Sequence, residues 1–516
     1  MKLDLNEIGS TSLRADFTIV GGGTVGLVVA TELARRLPML EIVVIESGNE
    51  FYETTELFTV DFVKSRYAGA SEGRFRCLGG TSTRWGGAMI PILGRDWSDF
   101  DFGFDISELN KYIGRLEEIF GLESGQYSGH EKEFWLGSDY LPRIGKWPSF
   151  KNRNTANVFE SAIDRTQNLK IFVNSHVVNF ENNPCRIMAL GPNKQQLEVF
   201  SQNILICAGA LESTRLALKY LQDVTQKVPV GLGKNFSDHL AFTVGNVKIR
   251  NKSMLTKFNE NFAFRFSQKG CFRNIRFEMA EDSDLRGKLP PHYIHFSWRP
   301  DPQGGFARLR NCYQKLQIGR LPKVTEVISL LPHLTWLIKA AYWRFVKKRV
   351  LFDDRSTLHV DLLLEQKVPN ENTLGFGDTE DSLGQKRLSV RWEVSETDID
   401  NAEAIITNLE QTWERAPINA LAEFERFSDA DLRASIRSNC GSYHPTGTIP
   451  LGALSAGGCL DGNFYLHGSE NLQILSTAIF PTGGGANPTM MLILMGLKCV
   501  DDHVRRICDN ENQFGA

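Results

Sequence analysis

The sequence predicts two kinds of architecture in one chain, an α/β domain and an α+β region with an antiparallel sheet. Two apolar runs that stop at glycine turns and continue with helical spacing, at residues 17–20 and 203–206, predict the first. The second follows from a change of character between about 245 and 430, where aromatics, arginines and alternating strands dominate.

The opening unit reads Phe17-Thr-Ile-Val-Gly21-Gly-Gly23-Thr24-Val-Gly26. Its apolar run reads as a buried strand, and Val25, Val28, Val29 and Leu33 continue at helical spacing to Arg36 and Pro38. A second apolar run, 42–45, ends in Glu46 and Ser47. Gly21 permits the tight turn, Gly23 lets a pyrophosphate approach the backbone, and Gly26 lets the helix lie close on the strand. The helix start offers N–H groups and a partial positive charge to phosphates. Glu46, 20 residues after Gly26, is placed to accept hydrogen bonds from ribose hydroxyls, and an acid there argues against a 2′-phosphate. An ordinary glycine turn is the competing reading. Strand, glycines, helix, strand and acid in this order favour a site for the ADP half of FAD or NAD(P), NADP being the least favoured.

At 516 residues the chain has room for two domains or for one domain with a large insertion. With 42% apolar and 23% charged residues its composition is that of a soluble globular protein, and a net charge of −3 gives no reason to expect nucleic acid. Nine scattered cysteines without a C-x-x-C pair fit reduced thiols better than disulfides or structural zinc, so no metal ligands are expected. The N-terminus, Met1-Lys-Leu-Asp-Leu-Asn-Glu, lacks the apolar core of a signal peptide. No stretch reaches the ~18 apolar residues that span a bilayer. The expectation is a cytoplasmic enzyme.

Gly79-Gly80-Thr81-Ser82-Thr-Arg84-Trp85-Gly86-Gly87-Ala88 is rich in glycine and small side chains, so its backbone can face a large flat ligand or phosphates at close range. A flexible surface loop, the alternative, sits poorly with Trp85 and the apolar run that follows. Residues 106–122 have helical spacing, and 169–180 read as strand. The strand 203–206 then turns through Ala208 and Gly209 into a helix whose Ser213 and Thr214 suit an N-terminus. Within the antiparallel region, 263–266, 293–298, 358–364 and 387–392 read as strands. Residues 324–350 are apolar and aromatic, then basic. Their charges rule out a spanning helix. Helices packed on the sheet are favoured there, with a membrane-surface or lid helix as the alternative. The last 80 residues return to glycine turns, through Tyr443-His444-Pro-Thr-Gly447-Thr448, a strand at 472–475, and Phe480-Pro-Thr-Gly-Gly-Gly-Ala-Asn487-Pro488-Thr489 leading into an apolar helix.

Together these blocks resemble the glucose–methanol–choline (GMC) family of FAD-dependent alcohol oxidoreductases. The resemblance rests on Gly21 to Gly26 with Glu46, the 79–88 loop, and Ala208-Gly209-Ala210-x-Glu212-Ser213. Asn235-x-x-Asp238-His239 and Glu365-Gln366 with Pro369-Asn370 add to it, and His444-Pro-x-Gly447-Thr448 with Ala486-Asn487-Pro488-Thr489 are its most specific parts. The sugar-oxidising branch, with pyranose oxidase and fructose dehydrogenase, looks most similar.

The resemblance implies an α/β flavin-binding Rossmann-like domain plus an α+β substrate domain with an antiparallel sheet. The flavin-binding segments would be 1–100, 155–244 and 431–516, with 101–154 connecting on the substrate side and 245–430 binding substrate. It implies that the strand near Val177 meets the adenine, that Asn487, Pro488 and the helix start at Thr489 lie against the flavin ring, and that Ala478 is a further cofactor-binding position. Three departures stand out. Arg84 replaces the histidine that holds FAD covalently in some sugar oxidases, so a non-covalent flavin is expected. Ser476-Thr477-Ala478 replaces the usual Asp-Ala-Ser, and Ile-Pro-Leu follows Thr448 in place of Cys-Arg-Met.

Oxidising an alcohol requires a base for the hydroxyl proton, and a neutral imidazole serves near pH 7. A lone histidine is ordinarily structural; the motif selects His444 as the base, with Asn487 to hold the alcohol oxygen. His239, His176, His467 and His333 keep a structural reading. The expected reaction converts a sugar, glycoside or polyol hydroxyl to a carbonyl, with oxygen or another acceptor reoxidising the flavin. A lipophilic alcohol such as a terpenoid or sterol, an NAD-dependent dehydrogenase and a non-catalytic flavin protein are the alternatives.

Overall fold

The computed structural model describes residues 1–130, 135–182, 185–225, 227–267, 270–317 and 320–514. Strands β1 (Thr11–Val20), β2 (Ile42–Ile45), β3 (Leu169–Val173) and β4 (Gln196–Ile206) lie parallel in the order β3-β2-β1-β4 at the centre of an eight-stranded sheet. Lys2–Asp4 adds to β3, and Leu472–Ile474 pairs with β4 in parallel. Cys185–Leu190 and His176–Asn182 extend the β4 side as an antiparallel meander. Distant parts of the chain therefore share one sheet. Every residue of β2 is buried, because both faces of a parallel sheet are covered and no alternation survives.

Helix α1 (Thr24–Arg36) leaves β1 through the glycine turn. A Cβ on Gly26 would stand 2.0 Å from the Gly21 carbonyl oxygen, so only glycine lets this helix start so close to its strand. The C-terminal helix, Thr489–Phe514, crosses α1 at Gly496, where a Cβ would meet Val25 and Val29 at 3.0 and 3.1 Å. Helix α2 (Ala210–Tyr220) follows β4 in the same strand–turn–helix manner.

The second sheet is antiparallel. It contains β5 (His239–Ile249), β6 (Phe272–Met279), β7 (His292–Arg299) and β8 (Thr357–Glu365) in the order β6-β7-β8-β5, edged by Arg265–Phe266 and Ala422–Arg426. Tyr140–Trp147 joins it alongside β6. On one face Phe277, Ile294, Phe296 and Leu362 are buried; Phe296 meets Phe258 of the helix Lys252–Phe262 and Trp413 of the helix Glu396–Arg415. The other face carries Arg276, Tyr293, His295 and Asp361, with His295 directly opposite Asp361 in the register.

Several expectations need correction. The strand expected at 387–392 runs Lys386–Arg391 but belongs to a separate three-stranded sheet, where it pairs with Thr373–Glu380 and, in parallel, with Val60–Phe62. Residues 106–122 form a 3₁₀ segment, Ile106–Tyr112, before the helix Ile113–Phe120, which ends on left-handed Gly121. Residues 169–180 divide into two strands at Asn174, whose φ is +54°.

The 324–350 stretch differs most. With α3 (Gly305–Gln317) before it, the chain forms α4 (Val324–Ile328) and α5 (Leu334–Tyr342), continued by the turn Trp343–Lys347. Neither α4 nor α5 has a buried residue. The helices expected to pack on the sheet reach it on one side only, through Trp336, Phe306 and Phe352, and the other side is an outward-facing apolar hairpin. Among the described residues no helix is long and apolar enough to cross a membrane.

Candidate active site

The carboxyl ends of β1, β2 and β4 open onto one cleft, the position where parallel α/β sheets bind ligands. Gly21, Gly23, Thr24, Glu46, Ser47, Gly80, Thr81, Ala208, Gly209 and Thr489 are among the residues that line it, so distant stretches of chain converge there. A Cβ on Gly23 would meet nothing nearer than 3.9 Å and would project into open space. Gly23 is also the N-cap of α1, and no side chain caps that end, which leaves the first-turn N–H groups for a phosphate. Gly80 lies back to back with Gly23, where its own Cβ would come within 2.9 Å of the Gly23 Cα. The two glycine loops form one wall because neither carries a side chain.

Glu46 is held rigidly at the cleft. Its carboxylate accepts hydrogen bonds from the N–H groups of Gly22 at 2.8 Å and Gly48 at 2.7 Å. Burial pushes its pKa up, and those two bonds oppose the shift. Each oxygen retains a further lone pair for a ribose hydroxyl. Arg76 donates to Ser47 Oγ at 3.0 Å, and Arg74 lines the same cleft, lowered by burial to about 10 yet still cationic at neutral pH. Neither arginine was singled out from the sequence, although both directly precede the glycine loop. Free glycine backbone, an uncapped helix start, a fixed acid and two cations fit a dinucleotide with its pyrophosphate, as FAD carries.

The other expected positions lie outside the lining. Gly26 sits behind the turn, and Gly79 donates its N–H to the Gly22 carbonyl at 2.8 Å. Ser82 donates to the Gly79 carbonyl and meets Thr155 Oγ1 at 2.9 Å, so it ties the loop to a neighbouring helix. Trp85 donates Nε1 to the Arg153 carbonyl at 2.8 Å, and Gly87 packs against the Arg153 side chain. Gly86 is exposed and Ala88 half-buried. Val177 is buried in its strand; it is the preceding Ser175 whose N–H reaches the Glu46 carbonyl. Ala478 is fully buried, its carbonyl accepting from Ile449 N at 2.9 Å, and Pro488 accepts from Leu492 N at the start of the C-terminal helix.

His444 and Asn487, 43 positions apart in sequence, do meet. Asn487 Nδ2 lies 2.9 Å from His444 Nε2. The direction of this bond follows from its neighbours. Arg276 Nη1 donates to Asn487 Oδ1 at 2.7 Å, which turns the amide N–H₂ toward His444 and makes Nε2 the acceptor. On the far side, His239 Nε2 donates to the Gly484 carbonyl at 2.7 Å, which leaves its Nδ1 as a lone pair. His444 Nδ1–H then donates to that nitrogen at 3.1 Å. His444 is thereby fixed as the neutral tautomer with an unprotonated Nε2. Burial lowers its pKa well below 6.5, with the neighbouring His239 and the Arg276 cation acting in the same direction.

Three supports hold this line. Asp238 accepts from the backbone N–H groups of His239 at 2.6 Å and His444 at 2.9 Å, and from Tyr67 Oη at 2.6 Å. Burial raises Asp238 to about 6. Glu278 binds Arg276 at 2.9 Å and Arg143 at 3.0 Å, all three buried. The turn 482–485 is pinned by Glu365, which accepts from Gly484 N at 2.8 Å, and by Asp96, which accepts from Gly485 N at 2.7 Å. Burial raises Glu365 to about 8.

His239 therefore needs reassignment. It was read as an ordinary structural histidine, yet it contacts the candidate base directly. Arg276 and Glu278 were missed altogether. A readable signal existed, since two opposite charges at period two in a strand put both on one face, where they can pair. His467 keeps its structural place, bonded to the Gly452 carbonyl at 2.9 Å.

Residues 371–496, which include His444 and Asn487, match the family model described as GMC oxidoreductase. The fold is similar to a pyridoxine 4-oxidase from Mesorbium loti, with a TM-score of 0.59 at 16% identity over 95% of this chain and 99% of that one. It is also similar to a fungal aryl-alcohol oxidase, with a TM-score of 0.58 at 16% identity over 96% and 99% of the two chains. A formate oxidase of Aspergillus oryzae RIB40, in which FAD modification was followed, gives 0.56 at 14% identity over 95% and 97%. No curated protein matches the sequence. The family model matches only this C-terminal part of the chain, and the fold around it is a Rossmann-type domain joined to a second, antiparallel one.

Proposed function

We propose that this chain is an FAD-dependent oxidoreductase that converts the CH–OH group of an alcohol to a carbonyl, with His444 as the base. The observation that carries this reading is the directed line from Arg276 through Asn487 and His444 to His239. It leaves a basic lone pair on Nε2 and a second, uncommitted N–H on the Asn487 amide. An alcohol hydroxyl can replace the Asn487 N–H at Nε2 and give up its proton there, while the amide holds the oxygen. FAD, when bound, supplies at its N5 the acceptor for the hydride from the carbinol carbon. Residues of the 21–24 turn, Glu46, the 80–81 turn and the 208–209 turn would hold its adenosine and pyrophosphate, and the start of the helix Thr489–Phe514 would face the ring.

A sugar, glycoside or polyol is the substrate best matched by the polar face of the second sheet. Arg276 lies over the Tyr293 ring at 4.1 Å, Tyr293 lies beside His295, and His295 reaches Asp361 at 3.6 Å. This row leads away from Asn487 and offers hydroxyl-binding partners at successive strand positions. A lipophilic alcohol is the second reading, favoured by the outward apolar hairpin. Arg84 points to a non-covalent flavin, since an arginine stands where a histidine would carry the covalent bond, and its guanidinium lies over Tyr52 and the cleft-lining Phe75. Oxygen or another acceptor would reoxidise it.

An anaerobic screen of sugars, glycosides and lipophilic alcohols tests the proposal. A substrate should bleach the flavin absorbance, and repeating the hits in air would distinguish oxidase from dehydrogenase. A flavin that no alcohol reduces would overturn it. Flavin that stays with acid-precipitated protein would contradict the non-covalent mode.

A further inference from the structure

The outward face of the 305–349 hairpin has no part in the site above. We propose that it is an interfacial docking surface for an anionic lipid bilayer, on which the protein lies without spanning. The proposal does not depend on the flavin reading.

The geometry combines an anchored inner face with an unpartnered outer one. Inward, Trp336 meets Phe306, Phe306 packs on Phe352, and Phe352 stacks on Trp298 of β7 at 5.0 Å. Trp343 is buried. Outward, Leu334, Ile338, Tyr342 and Phe345 follow one another at helical spacing and stand in solvent, Ile338 and Phe345 being 72% and 68% exposed. Val324, Val327 and Ile328 of α4 are exposed too, Val324 to 74%. A helix apolar on both faces belongs in a core or against lipid, and this one has protein on one side only.

Charge selects the occupant. Residues 305–350 carry ten lysines and arginines and one acid, Glu326, in a chain whose net charge is −3. Glu326 is already paired with Lys315. Arg310, Arg320, Lys323, Lys339 and Lys348 are exposed, and Lys347 is exposed but paired with Glu260. Two copies of so basic a face would repel each other in a symmetric pair. Anionic headgroups would neutralise the cations while the apolar residues enter the acyl boundary, the arrangement of in-plane amphipathic helices.

The test is flotation of the whole protein with vesicles of phosphatidylcholine alone and with about a third phosphatidylglycerol. Binding to the anionic vesicles should exceed binding to the neutral ones by about tenfold or more and weaken with salt. Ile338→Glu combined with Phe345→Glu should abolish it, and Lys323→Glu with Lys339→Glu should remove the lipid preference. These positions are exposed, so unchanged melting temperatures are expected. Equal flotation with both vesicles, no flotation, or variants that bind as the parent does would overturn the proposal. So would a concentration-dependent dimer that Ile338→Glu disperses, which would assign the face to a second copy.

Discussion

The nucleotide cleft and the His444 cluster lie in one molecule but are built from opposite materials. The cleft is made of main chain, namely glycine turns, helix starts and one acid clamped by two N–H groups. The cluster is made of side chains from β5, β6 and the 442–444 and 482–487 turns, each oriented by the next. A backbone site depends on the absence of side chains. A side-chain site depends on every member of a chain of donors pointing the right way.

The two modes should fail differently, and substitutions can separate them. Gly26→Val should have the largest effect, because its Cβ would overlap the Gly21 carbonyl at 2.0 Å. Such a clash has no flexible neighbour to absorb it, and the protein should purify without flavin or not fold, as absorbance and circular dichroism would report. His444→Ala should keep FAD and lose roughly 10²- to 10⁴-fold in the rate of anaerobic flavin reduction by stopped flow. An unchanged rate would remove His444 as base. Arg276→Met should release the Asn487 amide and slow reduction by about a hundredfold with FAD content unchanged, with partial recovery in Arg276→Lys.

Smaller effects concern protons. His444 is depressed below 6.5, so it is unprotonated through neutrality and kcat/KM should be flat from pH 8 to 6.5, falling only at lower pH. A fall beginning above 6.5 would contradict the buried neutral base. Glu365 is raised from 4.5 to about 8, so the folded state retains a proton that the unfolded chain releases. Stability should therefore decline as pH rises from about 4.5 through 8, by a few kcal/mol at most. Glu365→Gln should melt like the parent at pH 5 and above it at pH 9, measured by scanning calorimetry.

The same contrast explains what could be read from the residues alone. Turn, helix and acid at 21–46 lie within one βαβ unit, and each part limits its neighbours through local geometry. The cluster joins residues from 43 to about 245 positions apart. His444 and Asn487 emerged only through their family-like motifs, and Arg276, Glu278 and the role of His239 depend on sheet register. Periodicity placed the 387–392 strand but not its sheet, because pairing with 60–62 is a tertiary fact. For 324–350 it favoured helices packed on the sheet over a membrane-surface or lid helix. Apolar residues on both helix faces look alike whether protein or lipid covers the second.

The first sheet takes strands from residues 11–20, 42–45, 169–206 and, last, Leu472–Ile474. A ribosome making this chain releases the amino-terminal strands long before their final neighbour exists. The open flank of β4 and the uncovered side of α1 must wait for almost the whole translation time, with apolar surface exposed to other nascent chains. Holdase chaperones are the natural guardians of that interval, and truncation before residue 472 should give aggregates rather than a smaller working domain.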